Sequence, residues 1–136
     1  MADAPRPAPA PDAITARFWQ AAREGRLELQ RCAGCGATIF YPRIVCPTCL
    51  SEELTWIEAA GEGTVYSFTV THRAPTPAFK DRVPYVVALV DLPEGVRLLT
   101  NIVGCGPDGV RIGQPVRVTF EAISDQASLP QFEPVE

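Results

Sequence analysis

The stretch RCAGCGATIFYPRIVCPTC, residues 31–49, carries two Cys-x-x-Cys pairs, Cys32/Cys35 and Cys46/Cys49, with ten residues between them. A pair at this spacing sits on a short turn. Two sulfurs then converge on one ion while backbone N–H groups point at the thiolates, and Gly34 and Gly36 give the first turn its backbone freedom. Two such turns joined by a β-hairpin of this length predict a closed tetrahedral site of four cysteines, a rubredoxin-like ribbon around structural zinc. All four positions are filled by protein, so water and substrate have no place on the metal. Other uses of four cysteines fit less well. A dithiol redox centre needs its Cys-x-x-Cys at a helix N-terminus in a βαβ unit, and no such unit is visible. No apolar segment follows a basic N-terminal start, so a secretory signal is absent and the cytoplasm, where disulfides are rare, is the expected compartment. Iron stays open as an alternative, because ligand type alone does not exclude it.

Upstream of the cysteines, MADAPRPAPAP at residues 1–11 alternates Ala and Pro and reads as an extended tail. Asp12 is a good N-cap for a helix over roughly residues 13–24, with Ile14, Phe18 and Ala21 on one stripe and Gly25 as its stop. Three turns are marginal alone, so this helix must pack on something. Trp19 beside the stripe reads first as local packing; Phe18 and Trp19 are also the candidate anchors for a partner protein. Residues 27–58 are short strand pieces with few large apolar side chains, for which a metal could supply the missing cohesion.

Downstream the pattern is all-β. From Glu62 to Arg73, Tyr66, Phe68 and Val70 share one face, and Val65, Ser67, Thr69 and Thr71 the other. Tyr85 to Asp91 is nearly all apolar, as in a strand buried along both faces or bent round a small barrel. A tight turn at Leu92-Pro-Glu-Gly95 leads to Val96, Leu98, Thr100 and Ile102, which alternate with Arg97, Leu99, Asn101 and Val103. Gly104 to Gly113 is a Gly-rich connection. Val116, Val118 and Phe120 form another alternating run, and a short extended piece surrounds Phe132. Five strands in so short a segment predict a five-stranded barrel of the OB type and leave no room for a seven-stranded sandwich. The expected division is a tail at 1–11, a helix plus zinc ribbon at 12–58 and an OB-fold domain at 59–136.

Composition narrows the function. Of 136 residues, 46% are apolar, and the longest apolar run, Val86 to Val90, is far short of the ~20 residues of a membrane span. The net charge of −4 is uneven. Residues 1–50 hold six basic and four acidic side chains, and residues 51–136 hold six basic and twelve acidic. A nucleic-acid-binding ribbon-plus-barrel protein is the main alternative reading, and this acidic balance argues against it. Catalysis has little to stand on. Cys105 and His72, the one histidine, are not placed together by any pattern, and Cys105 reads as a buried or half-buried small hydrophobe. No nucleophile elbow, phosphate-cradling loop or dinucleotide fingerprint occurs. The segment RAPTPAFKDRVP, residues 73–84, is long for a hairpin connection. It sets Arg73, Lys80 and Arg82 around Phe79, which reads either as a solvated loop stiffened by prolines or as a ligand or partner loop, with cations for phosphates and an aromatic ring for stacking.

Helix, four-cysteine ribbon and small barrel, in that order, resemble a known family: the acyl-CoA-associated zinc-ribbon/OB-fold proteins, long catalogued as a domain of unknown function. The stretches that carry the resemblance are RFWQAAREGRLELQRCAGCG, FYPRIVCPTC, the Trp56 strand, GEGTVYSFTVTHR, PYVVALVDLPEGVRLLTNIVG and IGQPVRVTFE. The resemblance implies a non-catalytic accessory subunit beside a thiolase-, aldolase- or hydratase-type acyl-CoA enzyme. Such a subunit ties others together and helps shape the passage of the CoA thioester. It also makes acyl-CoA a ligand to expect, with Arg73, Phe79, Lys80 and Arg82 as candidate contacts. A small iron electron carrier is the third reading; a colourless protein would dispose of it.

Overall fold

The chain is described here from a computed structural model covering residues 7–135. Part of the expected tail, residues 1–6, lies outside the described residues. Residues 7–12 belong to no helix or strand.

Helix α1 spans Ala16–Arg23, shorter at its start than the periodicity predicts. Asp12 explains the difference. Its Oδ1 accepts bonds from the N–H of Ile14 (3.0 Å), the N–H of Thr15 (2.9 Å) and the Thr15 hydroxyl (2.9 Å). These bonds close a turn over 13–15 that precedes the regular helix. Ile14 therefore leaves the expected stripe and is exposed. The other end follows expectation. Gly25 takes φ +80°, its N–H bonds the Ala22 carbonyl, and the Arg26 N–H reaches back to Ala21, a Schellman stop.

Strands β1 (Glu28–Cys32), β2 (Thr38–Ile39) and β3 (Leu54–Glu58) form a small antiparallel sheet in the order β2-β1-β3. Pairing of Cys32 with Leu54 places the first cysteine at the sheet's end, where the second cysteine pair also arrives.

The remaining strands are β4 (Glu62–Thr71), β5 (Tyr85–Asp91), β6 (Arg97–Ile102), β7 (Pro115–Ser124) and β8 (Ala127–Pro134). They close into a five-stranded barrel, β4-β5-β6-β8-β7, with β7 returning to β4. Only the β6–β8 join is parallel, at Ile102 and Phe132. The expected short piece around Phe132 is an eight-residue strand, paired along most of β7. Phe132 is fully buried, which stabilises by about 2–3 kcal/mol for a side chain of this size. Leu98, Thr100 and Ile102 point inward as the alternation predicts.

One expected face changes. A bulge between Val65 and Ser67 adds a residue to β4. It shifts the alternation by one, so Val65 turns inward and Tyr66 turns out, where the Arg97 guanidinium stacks on its ring at 3.4 Å. Close packing also selects Gly63: a Cβ there would meet Val90 Cγ1 at 2.5 Å and the Asp91 carbonyl at 3.0 Å.

Ribbon and barrel share one core. Phe18, Trp19, Leu27 and Leu29 belong to the same buried cluster as Val65, Val90, Leu98 and Phe132. The Arg23 guanidinium adds a bond to the Asp125 carbonyl, in the turn between β7 and β8.

Candidate metal centre and ligand cleft

The four cysteines sit on two matching turns. In the first, the N–H groups of Gly34 (3.3 Å) and Cys35 (3.4 Å) point at Cys32 Sγ. In the second, the Thr48 N–H points at Cys46 Sγ (3.3 Å). Gly36 and Leu50, each next to the second cysteine of its pair, close these turns with bonds to the carbonyls of Cys32 and Cys46, and both have positive φ. Gly34, expected to share this role, does not have positive φ.

The four Sγ atoms all lie within 4.8 Å of one another, with Cys32 to Cys49 at 3.5 Å and Cys35 to Cys46 at 3.7 Å. A tetrahedron of thiolates around one ion at the usual metal–sulfur length of ~2.3 Å has edges of about 3.8 Å. The donor set therefore fits a single structural metal. Cys32 and Cys46 are buried, and Cys35 and Cys49 face outward. The Cys35 N–H, against the opposing push of burial, holds the Cys32 thiol below its ordinary range. The Cys49 N–H, aided by that of Thr48, draws Cys46 down to about 6. Thiolate, the ligating form, is thus favoured at Cys46 at neutral pH, whereas at Cys35 and Cys49 the bonds from the Ala37 and Ser51 N–H groups are outweighed by burial and the neighbouring sulfurs, and both thiols are pushed up, Cys49 to about 12.

Two supports of this site escaped the sequence reading. Gln30, buried on β1, accepts from the Arg43 N–H (2.7 Å) and donates to the Arg43 carbonyl (3.0 Å), which fixes the loop between the cysteine pairs. Glu28, also buried, takes Arg17 and Arg26 as partners. A strand glutamate or glutamine normally faces water, so only their buried β1 positions could have flagged them.

Phe18 and Trp19 are core residues, 3% and 6% exposed, with ring centroids 5.0 Å apart. Phe18 also meets Phe40 and Tyr41 of the inter-cysteine loop. The packing reading is the one this burial supports. Partner contact through either ring would require the helix to leave the barrel.

The 73–84 connection folds against the barrel as a turn of 3-10 helix at Pro77–Phe79, leaving a cleft of about 220 Å³. Phe79 and Tyr85 form one wall, with centroids 5.6 Å apart. The end of β6 supplies Asn101, Ile102 and Val103, and β8 supplies Gln131. Arg82 and Glu121 also line the cleft and pair at 3.4 Å. Of the four candidate ligand contacts, the structure brings Phe79 and Arg82 together here, with Phe79 half-buried. Arg73 and Lys80 are exposed and do not line the cleft. His72 is exposed, and Cys105 is exposed rather than buried or half-buried, because it sits in the Gly-rich connection after β6.

Comparison with known proteins agrees with this architecture. Residues 19–55 match a family model for the ChsH2 rubredoxin-like zinc ribbon domain, and residues 56–121 one for the ChsH2 C-terminal OB-fold domain. A probable enoyl-CoA hydratase alpha subunit of Thermomonospora curvata is 46% identical over 129 residues, covering 95% of this chain and 40% of that one. The chain therefore spans less than half the length of that relative. A DUF35 domain-containing scaffold protein of Methanothermobacter thermautotrophicus is 37% identical over 114 residues, 82% of this chain and 85% of that one. A solved chain described as Ltp2-ChsH2(DUF35) aldolase superposes with a TM-score of 0.82 at 45% identity, covering 93% of this chain and 98% of that one. With contiguous matches from residue 19 to residue 121 to a ChsH2-type zinc ribbon and OB-fold barrel, and a DUF35 scaffold protein aligned over 85% of its own length, this chain belongs to the DUF35 family.

Proposed function

We propose that this chain is a non-catalytic accessory subunit of an acyl-CoA-processing enzyme complex. One observation carries the reading: along nearly its whole length the chain is similar to the DUF35 chain of an aldolase assembly. The scaffold name of one relative and the hydratase-subunit name of another point the same way. The partner is thus an acyl-CoA enzyme of thiolase, aldolase or hydratase type, and the chain joins subunits and borders the path of the CoA thioester.

The same reading takes zinc as the metal of Cys32, Cys35, Cys46 and Cys49, in a structural role. It takes residues 12–58 and 59–136 as the two units of the chain, after a tail at 1–11, and the cytoplasm as its compartment. Among the described residues no helix is long and apolar enough to cross a membrane. Arg73 and Lys80 are exposed and make no ion pair among the described residues, so they are the cations available to CoA phosphates.

The test is affinity capture of the tagged protein from its own cells, with mass spectrometry of what co-elutes. A thiolase-, aldolase- or hydratase-type enzyme in stable ratio is the expected result. Nucleic acid or ribosomal protein in its place would overturn the reading in favour of a nucleic-acid-binding role.

A further inference from the structure

We propose that the outward-facing metal ligands Cys35 and Cys49 are a hydroperoxide-reactive pair, each resolved by the buried cysteine of the opposite turn, so that oxidation exchanges the bound metal for the bridges Cys35–Cys46 and Cys32–Cys49. This chemistry uses only the four cysteines and holds whichever enzyme is the partner.

Three features divide the sulfurs into an outer and an inner pair with different roles. The first is access. Cys32 and Cys46 are 1% and 0% exposed and packed with Ile39, Ala37 and Leu54, whereas Cys35 and Cys49 face outward. A dissolved oxidant therefore meets the outer pair.

The second is reactivity. A ligating thiol is deprotonated outright by its metal, so in the loaded protein the outer sulfurs stand at the surface as thiolates, the nucleophilic form. The inner sulfurs are more heavily hydrogen-bonded. Among the described residues, Cys32 Sγ receives the N–H groups of Gly34 and Cys35, and Cys46 Sγ those of Thr48 and Cys49, against one each for Cys35 (Ala37) and Cys49 (Ser51). Such bonds lower the basicity of a thiolate and, with it, its nucleophilicity.

The third is resolution. Cys35 Sγ lies 3.7 Å from Cys46 Sγ, and Cys49 Sγ lies 3.5 Å from Cys32 Sγ. Each contact joins an outer sulfur of one turn to an inner sulfur of the other. An accessible thiolate beside a resolving cysteine is the arrangement found in redox-sensing sites.

The steps balance with hydrogen peroxide as oxidant. An outer thiolate attacks one peroxide oxygen; the S–O bond forms, the O–O bond breaks, and hydroxide leaves with the electron pair, giving a sulfenic acid. The inner thiolate facing it attacks that sulfur, forming the S–S bond and expelling a second hydroxide. Each bridge thus oxidises two sulfurs by one electron apiece and reduces one peroxide to two hydroxides. Two peroxides consume all four donors, and the metal is lost. Both bridges cross between the turns as the metal did, so the ribbon that shares its core with the barrel stays closed.

The experiment treats the zinc-loaded full chain with hydrogen peroxide, using Cys105→Ser to remove the remaining exposed thiol. Zinc release is followed with a chromophoric indicator, and sulfenic acid is trapped with dimedone in a parallel sample. Bridges are mapped by mass spectrometry after trypsin. Cleavage at Arg31, Arg43 and Arg73 puts Cys32 and Cys35 on one peptide and Cys46 and Cys49 on another, so only a bridge across the turns links two peptides. The expected result is loss of one zinc per chain for two peroxides consumed, dimedone on Cys35 or Cys49 before Cys32 or Cys46, linked peptides, and recovery of zinc binding after dithiothreitol. Zinc retained with intact thiols, first adducts on a buried cysteine, bridges confined to one peptide, or metal loss that dithiothreitol does not reverse would each overturn the proposal. All four ligands stay in place throughout, so no outcome depends on whether a ligand variant folds.

Discussion

Leu50 shows how one residue meets a demand made by metal geometry. Its φ of 66° lies in the left-handed region, which costs an L-residue about 1–2 kcal/mol. The matching position after the first cysteine pair is Gly36, at φ +80°. Leu50 is 73% exposed, so little packing offsets its strain. Leu50→Gly is therefore expected to stabilise the protein by about 0.5–1 kcal/mol, after allowance for the extra freedom of Gly in the unfolded chain. A higher urea midpoint at unchanged slope would bear this out. A lower midpoint would mean that the Leu50 side chain packs in solution. Metal content should be the same in both proteins, because the turn and its bonds to sulfur are backbone features.

At the scale of elements, the docking of α1 on β1 depends on a charge cluster as well as on apolar contact. Burial pushes the Glu28 carboxyl up, and bonds from the Arg17 and Arg26 guanidiniums more than reverse that, leaving its pKa below the ordinary glutamate value. A depressed carboxylate contributes stability that is fully present above its unfolded value, near 4.5, and is lost as pH falls through the folded value. Wild-type stability should therefore fall with acid below that point by more than Glu28→Gln does. The variant should also be less stable at neutral pH, by about 1.5–3 kcal/mol, the range for hydrogen bonds to charged groups. The measurement is urea midpoint against pH for both proteins. Taking the difference between them cancels acid release of the metal, which both suffer. Parallel curves would show that Glu28 titrates alike folded and unfolded.

For the whole molecule the decisive fact is the shared core. Leu27 and Leu29 of the ribbon, Phe18 and Trp19 of the helix and Phe132 of the barrel belong to one buried cluster. Four thiolates binding one zinc contribute an apparent ~10–16 kcal/mol to folding, as much as the entire stability of an ordinary domain. Chelation of the metal is thus expected to lower the melting temperature of the whole chain in one transition, with tryptophan fluorescence and far-UV circular dichroism coinciding. Two separated transitions would show that the barrel stands without the ribbon. Trp19→Ala should act on the same single transition and cost about 3–5 kcal/mol, the usual range for truncating a buried Trp.

The local features of this protein were legible in its sequence because they depend on near neighbours. Two Cys-x-x-Cys turns need only four residues each to aim their sulfurs. The inward faces of β6 and β7 follow from period-two alternation, and Gly25 marks the helix stop. The resemblance carried by the quoted stretches pointed to the family for the same reason, since it lies in contiguous sequence. What the sequence could not decide depends on contacts between distant segments. The bulge that turns Tyr66 outward is defined only by pairing with β5, so alternation alone put it on the wrong face. Burial of Glu28 and Gln30 comes from α1 and the inter-cysteine loop closing over β1. The cleft joins Phe79 of one connection to Asn101 on β6 and Gln131 on β8, brought together when the barrel closes. Sequence spacing determines chemistry within a turn or a strand, whereas barrel closure and packing decide which of those chemistries meet.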